Sequence, residues 1–260
     1  MVTDQHVISI QADRQTSYDA YFAMQNAIVA AYRQLRSDYA RQRYGLTLPD
    51  LYMGRDEALP QQELAGIARR LEQQEPVQYV IGEAVFCCRR LKVDRRVLIP
   101  RPETEELCRW IVGEAAAGQR QDGRLSILDI GTGSGCIACT VAINMAVNSS
   151  GTGTSPLVTA WDISDVAIET ARKNAECLGA KVCVEKTDAL LPPADCSRWN
   201  IIVSNPPYVC SSEKSAMHEN VLRYEPESAL FVPDDNPLLF YRAIAHYAVM
   251  ALRPGGHLLF

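Results

Sequence analysis

The tetrapeptide Asn205-Pro206-Pro207-Tyr208 gathers groups that can do chemistry. It follows the apolar run Ile201-Ile202-Val203-Ser204, which reads as a buried strand. Two prolines end such a strand, because they bring no N–H to a ladder and fix φ. The residue before a proline is driven to an extended conformation. Asn205 therefore stands at a strand's carboxyl end, where open α/β sheets bind ligands. There the chain presents one amide side chain, backbone carbonyls that no neighbouring N–H claims, and one aromatic face. That set suits a planar group carrying an NH2. The oxygen of Asn205 and the carbonyl of Pro206 can accept its two hydrogens, and Tyr208 can stack on its plane.

A second chemical stretch is Leu128-Asp129-Ile130-Gly131-Thr132-Gly133-Ser134-Gly135. Its glycines permit positive φ and a close backbone approach to a ligand. The spacing is G-x-G-x-G rather than the G-x-G-x-x-G of a dinucleotide fingerprint, and no Gly-Lys-Ser/Thr follows to make a phosphate-binding P-loop. Two acids extend the pattern. Asp162 ends a second strand, where a carboxylate can take both ribose hydroxyls. Asp188 follows a third strand and can receive an adenine amino group directly or through a neighbouring backbone group. Either acid alone reads as an Asx turn or helix cap. In this order, with the tetrapeptide on a fourth strand, they describe an adenosine-containing cofactor, and S-adenosylmethionine fits best.

The elements that must position these groups follow from periodicity. Strands are expected at 126–130, 157–161, 181–185, 200–204 and 257–260, and helices at 135–147, 164–178 and 237–252. This alternation argues for a parallel sheet with helices on both faces. Upstream, Val85-Phe86-Cys87 and Leu91-Lys92-Val93 flank Arg89-Arg90 and suggest a hairpin. A helix begins near Glu103, with Leu107, Trp110 and Ile111 as its apolar face. Residues 17–42 carry apolar side chains at helical spacing behind Ser17 as N-cap, and a second helical pattern runs through Leu64, Ile67, Ala68 and Leu71. The Ser/Gly/Thr-rich stretch 148–156 reads as a flexible insertion. The expected organisation is a helical unit over 1–82, a β-hairpin linker over 83–101 and a ligand-binding domain over 102–260.

Bulk properties narrow the function classes. The 260 residues include 47% hydrophobic ones, enough for a real core. A net charge of −5 argues against a broad nucleic-acid-binding surface. Arg33, Arg36, Arg41 and Arg43 cluster, but one helical cluster is more often a solvated face. No apolar run approaches the ~18 residues of a membrane span, and the first residues show no signal-peptide pattern. Nine cysteines, two of them adjacent at Cys87 and Cys88, make a poor disulfide framework, and a reduced, cytoplasmic protein is the simplest reading. Cys136-Ile137-Ala138-Cys139 is formally a C-x-x-C, but it falls just inside a helix and lacks a matching second pair, so packing is expected. His6, His218, His246 and His257 show no metal-ligand spacing, and no metal is expected.

The chain resembles the class I S-adenosylmethionine-dependent methyltransferases, which share the D-x-G-x-G-x-G loop, the acid after the second strand and the N-P-P-Y motif. Three further stretches resemble the release-factor glutamine methyltransferases. They are Glu75-Pro76-Val77-Gln78-Tyr79-Val80-Ile81-Gly82, the linker Val97-Leu98-Ile99-Pro100-Arg101-Pro102-Glu103-Thr104-Glu105, and Tyr224-Glu225-Pro226-Glu227-Ser228-Ala229-Leu230. The resemblance covers roughly residues 50–260. It implies a Rossmann-like sheet and an enzyme that methylates the glutamine of the Gly-Gly-Gln tripeptide in peptide-chain release factors. It assigns the cofactor to Asp129, Gly131, Thr132, Gly133, Ser134, Gly135, Asp162, Ile163, Asp188, Ala189 and Asn205. It assigns the substrate glutamine to Asn205, Pro206, Pro207 and Tyr208, with Asn205, Pro206 and Tyr208 in the catalytic role. The N-terminal helices would help to dock the protein substrate. The family's sheet has two more strands, antiparallel at its edge, whereas this sequence ends at Phe260 within the fifth; a truncated sheet with an open edge is expected. Two other readings stay open: an amino-methyltransferase acting on adenine in nucleic acid, and a non-catalytic binding protein with the same fold.

Overall fold

The computed structural model describes residues 61–117, 125–148 and 156–260. The chain divides after Leu64, and the main sheet lies in the unit from Ala65 onward. The expected helix over 17–42, the arginine cluster over 33–43 and most of the insertion at 148–156 lie outside the described residues.

The described part opens with α1 (Gln61–Glu72) and the short α2 (Val77–Ile81), closed by Gly82 in the left-handed region at φ 72°. Strands β1 (Glu83–Phe86) and β2 (Arg89–Lys92) form an antiparallel hairpin with Phe86 opposite Arg89. The turn is Cys87-Cys88, so Arg89 and Arg90 belong to β2 rather than lying between the strands. Both cysteines have positive φ, 46° and 60°, as a two-residue turn matching the strand twist requires. Glycine or asparagine usually marks such a turn. Here the Cys87 N–H donates to the Glu105 carboxylate at 2.8 Å, a fastening that the local sequence does not show.

Helix α3 (Thr104–Ala117) buries Leu107, Cys108 and Ile111. Trp110, expected on that face, is 62% exposed. At about 100° per residue it falls outside the arc that the other three share.

Then strands and helices alternate through β3 (Ser126–Ile130), α4 (Cys136–Asn148), β4 (Leu157–Asp162), α5 (Asp165–Leu178) and β5 (Val182–Lys186), and β6 (Trp199–Ser204) follows β5 without a helix between. After β6 come two-residue strands β7 (Val209–Cys210) and β8 (Phe231–Val232), with α6 (Glu219–Tyr224) between them. Helix α7 (Leu239–Ala251) and β9 (Leu252–Leu259) follow. Among the described residues the main sheet has five parallel strands in the order β5-β4-β3-β6-β9. The strand order reverses direction between β3 and β6, so the sheet's topological switch point lies there.

Both faces of the sheet are covered, which is why its strands read as nearly continuous apolar runs. Side chains alternate in β3. Ile127 joins the core built with α3, α4 and α5, while Leu128 and Ile130 join the core of α7 with Trp161 and Trp199. Strand β9 begins at Leu252, earlier than expected. Arg253-Pro254-Gly255-Gly256 reads as a turn, but the β6–β9 ladder absorbs it through a register shift between Trp199 and Ile201.

Candidate active site

Register places the chemical residues. Ile130 pairs with Trp161 on one side and with Ser204 on the other. The next residues, Gly131, Asp162 and Asn205, therefore leave three adjacent strands at one level, about 4.8 Å apart. Ser204 Oγ donates to the Ile130 carbonyl at 2.7 Å, tying the central strand ends. The glycine loop and the N-P-P-Y tetrapeptide thus flank the switch point.

The loop is shaped by backbone hydrogen bonds. Gly131 N and Thr132 N both donate to the Trp161 carbonyl at 2.9 Å, and Gly135 N to the Thr132 carbonyl at 2.8 Å. Gly131, Gly133 and Gly135 have φ of 73°, 55° and 80°, a region that side chains disfavour. Nothing lies within 4 Å of where a Cβ would stand on Gly131 or Gly133. At Gly135 a Cβ would meet Ala171 at 3.1 Å. The first two glycines thus face open space, while the third lets the loop press on α5. Thr132 and Ser134 turn inward and are buried.

Asp129 lies beneath this loop, 1% exposed. Its Oδ2 accepts from the Thr132 hydroxyl at 2.7 Å and from Ala138 N at 3.2 Å, while Oδ1 has no partner. Burial pushes its carboxyl up to about 7, against those two hydrogen bonds. It shapes the loop from below. Asp162 does so from the side: Oδ2 accepts from Gly133 N at 2.9 Å and Oδ1 from Ser164 N at 3.0 Å. A carboxylate oxygen has a second lone pair, so Asp162 can still receive hydroxyls. Next to it, Ile163 is 59% exposed and offers an apolar surface at the sheet's edge. Asp188 lies two residues past β5, where its Oδ1 accepts from Leu190 N at 2.8 Å in an Asx turn. Ala189 beside it packs against the α7-side core.

At the end of β6, Pro206 is buried, Asn205 and Pro207 are partly buried, and Tyr208 is 58% exposed. Asn205 Nδ2 donates to Thr104 Oγ1 at 3.2 Å. Immediately after Tyr208, β7 pairs in parallel with β8 and fixes the chain's exit.

Several framing contacts were not foreseen from sequence, although Glu75, Arg101, Tyr224 and Glu225 fall in the stretches that carry the family resemblance. Asn174 of α5 is buried and accepts from Lys92 N at 2.7 Å. Its Nδ2 donates to the Lys92 carbonyl at 2.9 Å and the Ser134 carbonyl at 2.8 Å, joining hairpin to glycine loop. Arg101 Nη2 donates to both oxygens of buried Glu225, at 2.8 and 2.9 Å. Glu75, with a side chain 0% exposed, accepts from Arg70 and Arg95. Hydrogen bonds from these two guanidiniums hold its carboxyl down to about 2. Tyr224 donates to the Gln73 carbonyl at 2.8 Å and lies under the Arg95 guanidinium. The partners are 101, 124 and 82 residues apart in the main cases, so no local pattern reveals them.

Cys136 and Cys139 pack with the core around α4, and burial pushes both thiols up to about 12, which leaves them protonated. Among the described residues no three His, Cys, Asp or Glu side chains form a group that could hold a metal. Among them, too, no helix is long and apolar enough to cross a membrane.

An adenosine-bearing sulfonium fits this donor set: open space over Gly131 and Gly133, a carboxylate with spare lone pairs at Asp162, and exposed Ile163 beside it. The family model described as "Methyltransferase small domain" matches residues 118–227. A protein of Bacteroides thetaiotaomicron named release factor glutamine methyltransferase is 47% identical over 220 residues, covering 83% of this chain and 74% of that protein. One of the same name from Flavobacterium psychrophilum is 41% identical over 234 residues, covering 90% and 76%. One from Chlorobaculum tepidum is 39% identical over 225 residues, covering 83% and 73%.

Proposed function

Because the chain belongs to the release factor glutamine methyltransferase family, we propose that it transfers a methyl group from S-adenosylmethionine to the side-chain amide nitrogen of the Gly-Gly-Gln glutamine in a peptide-chain release factor. It is an enzyme, a methyltransferase with the class I fold. The observation that carries the reading is the sheet register, which puts Asn205 one strand away from the glycine loop.

In the proposed roles, Gly131, Gly133, Asp162 and Ile163, with the Asp188-Ala189 turn, hold the cofactor, and Asp129, Thr132, Ser134 and Gly135 keep the loop in shape. The cofactor, when bound, supplies an electrophilic methyl group on a sulfonium. An amide nitrogen is a poor nucleophile, because its lone pair is delocalised into the carbonyl. The protein's contribution is then positioning and electrostatics. Asn205 Oδ1 and the Pro206 carbonyl accept the two N–H groups of the glutamine, which favours a pyramidal nitrogen and aims its lone pair. Positive charge growing on nitrogen strengthens those bonds in the transition state, so the binding is differential. Tyr208 lies against the amide plane. No ionisable base is needed beside the nitrogen, since the methylated amide is strongly acidic until it loses its proton. The segment over 1–82 helps to dock the protein substrate, in the cytoplasm where translation terminates. The alternative, transfer to adenine in nucleic acid, is not favoured by relatives at 39–47% identity that bear the release-factor name.

Replacement of Asn205 by alanine tests the reading. Turnover of purified release factor should fall by about 10²–10³-fold, as on loss of one donor or acceptor aimed at developing charge. Cofactor affinity, measured by calorimetry, should change little. Unchanged turnover would remove Asn205 from the mechanism.

A further inference from the structure

We infer that Thr104 is a positioning residue for the catalytic amide, and that the linker's Arg101-Pro102-Glu103-Thr104-Glu105 stretch has a mechanistic as well as a packing role; this rests on the function proposed above. An asparagine amide has one acceptor end and one donor end on a roughly two-fold torsion. Only the acceptor end can receive an N–H from the substrate. A flip about that torsion would present Nδ2 instead and would repel the same group. In the structure Nδ2 donates to Thr104 Oγ1 at 3.2 Å, so Oδ1 is the end left for the substrate.

Thr104 is well placed to tether that side chain and fix its torsion, since its hydroxyl can accept from or donate to the amide. It is 7% exposed, at the first position of α3, and its N–H donates to the Arg101 carbonyl at 3.1 Å. Its neighbours are fastened on two sides. Arg101 grips Glu225 in the segment that follows the tetrapeptide, and Glu105 accepts from Cys87 N in the hairpin turn. Each polar residue of the stretch that makes one of these contacts reaches a different element. The one aimed at the sheet's edge meets Asn205.

The test uses the full chain with purified release factor, at saturating concentrations of both substrates. Thr104→Val removes the hydroxyl at nearly constant volume. It should lower kcat about tenfold, the order expected when a hydrogen bond that orients a reacting group is lost. Thr104→Ser should restore kcat to within about threefold of the unmodified chain, because its hydroxyl remains. In the Asn205→Ala background, Thr104→Val should have no further effect, since the two residues act as one unit. A merely structural role would give additive losses and no serine rescue. A Thr104→Val kcat close to that of the unmodified chain, additivity with Asn205→Ala, or a raised cofactor KM with kcat intact would each overturn the proposal.

A second readout does not depend on turnover. The Asn205 side-chain NH2 protons, assigned in NMR spectra by their absence from Asn205→Ala, should exchange slowly and lose that protection in Thr104→Val. Equal exchange in both chains would overturn the contact itself. A chain that leaves release factor unmethylated while Thr104 protects those protons would overturn the proposed function, and with it the catalytic meaning of the contact.

Discussion

The hairpin linker and the glycine loop each bury a carboxylate, and they do so in opposite ways. Glu75, under the linker, is fully enclosed by two guanidiniums, and their hydrogen bonds hold its carboxyl down to about 2. Asp129, under the loop, meets a hydroxyl and a backbone N–H, and burial pushes its carboxyl up to about 7. The linker is fastened by charge pairs between distant segments: Glu75 with Arg70 and Arg95, and Arg101 with Glu225. The loop is fastened by backbone geometry and left-handed glycines. The difference separates a segment fastened by strong charges from a loop fastened by backbone geometry.

The comparison breaks most readily at the linker. Glu75→Ala would leave Arg70 and Arg95 facing each other across a buried space. Both arginines are roughly half exposed, so the cost should lie near the lower end for a broken buried pair, about 3 kcal/mol in urea unfolding. Loss below about 1 kcal/mol would mean that the two arginines find water as readily as the acid.

The next effect belongs to the loop. Gly135→Ala combines a positive φ with a Cβ only 3.1 Å from Ala171, so about 2–3 kcal/mol of destabilisation is expected together with a marked loss of cofactor affinity. Gly131→Ala meets nothing within 4 Å and should cost only the backbone strain, about 1 kcal/mol. Equal costs at the two positions would deny that Gly135 is there for its contact with α5.

The most diagnostic effect is one of sign, because the two acids should show opposite pH slopes. Glu75, depressed from 4.5 to about 2, contributes fully above pH 4.5, and its contribution is lost as pH falls toward 2. Asp129 is raised from 3.8 to about 7. Between those values the unfolded chain has released the proton while the folded chain keeps it. Stability contributed at this position therefore falls as pH rises from about 4 to 7, and is flat above. Asp129→Asn should gain on the unmodified chain across that window, and Glu75→Gln should lose ground above pH 4.5 relative to pH 2. Parallel slopes in the two urea series would contradict the distinction.

The loop was more legible in the sequence than the linker. The loop glycines, the strand-ending acids and the tetrapeptide are local signals, and apolar runs located β3, β4 and β6 within a residue or so. Register then follows from the parallel sheet, which puts Gly131 between Asp162 and Asn205. The linker's fastening rests on partners that no local window contains, such as Arg101 with Glu225, Asn174 with Lys92 and Ser134, and Thr104 with Asn205. The Cys87-Cys88 turn was obscured because tertiary hydrogen bonding supports residues that turns seldom use. Trp110 was misplaced because a spacing of three from Leu107 falls just outside the buried arc.

The central claim is the acceptor. Incubation of the chain with purified release factor and methyl-labelled S-adenosylmethionine, followed by peptide mapping, should place a single methyl group on the glutamine of the Gly-Gly-Gln tripeptide. Label on nucleic acid instead, or none on that glutamine while the cofactor binds, would contradict it.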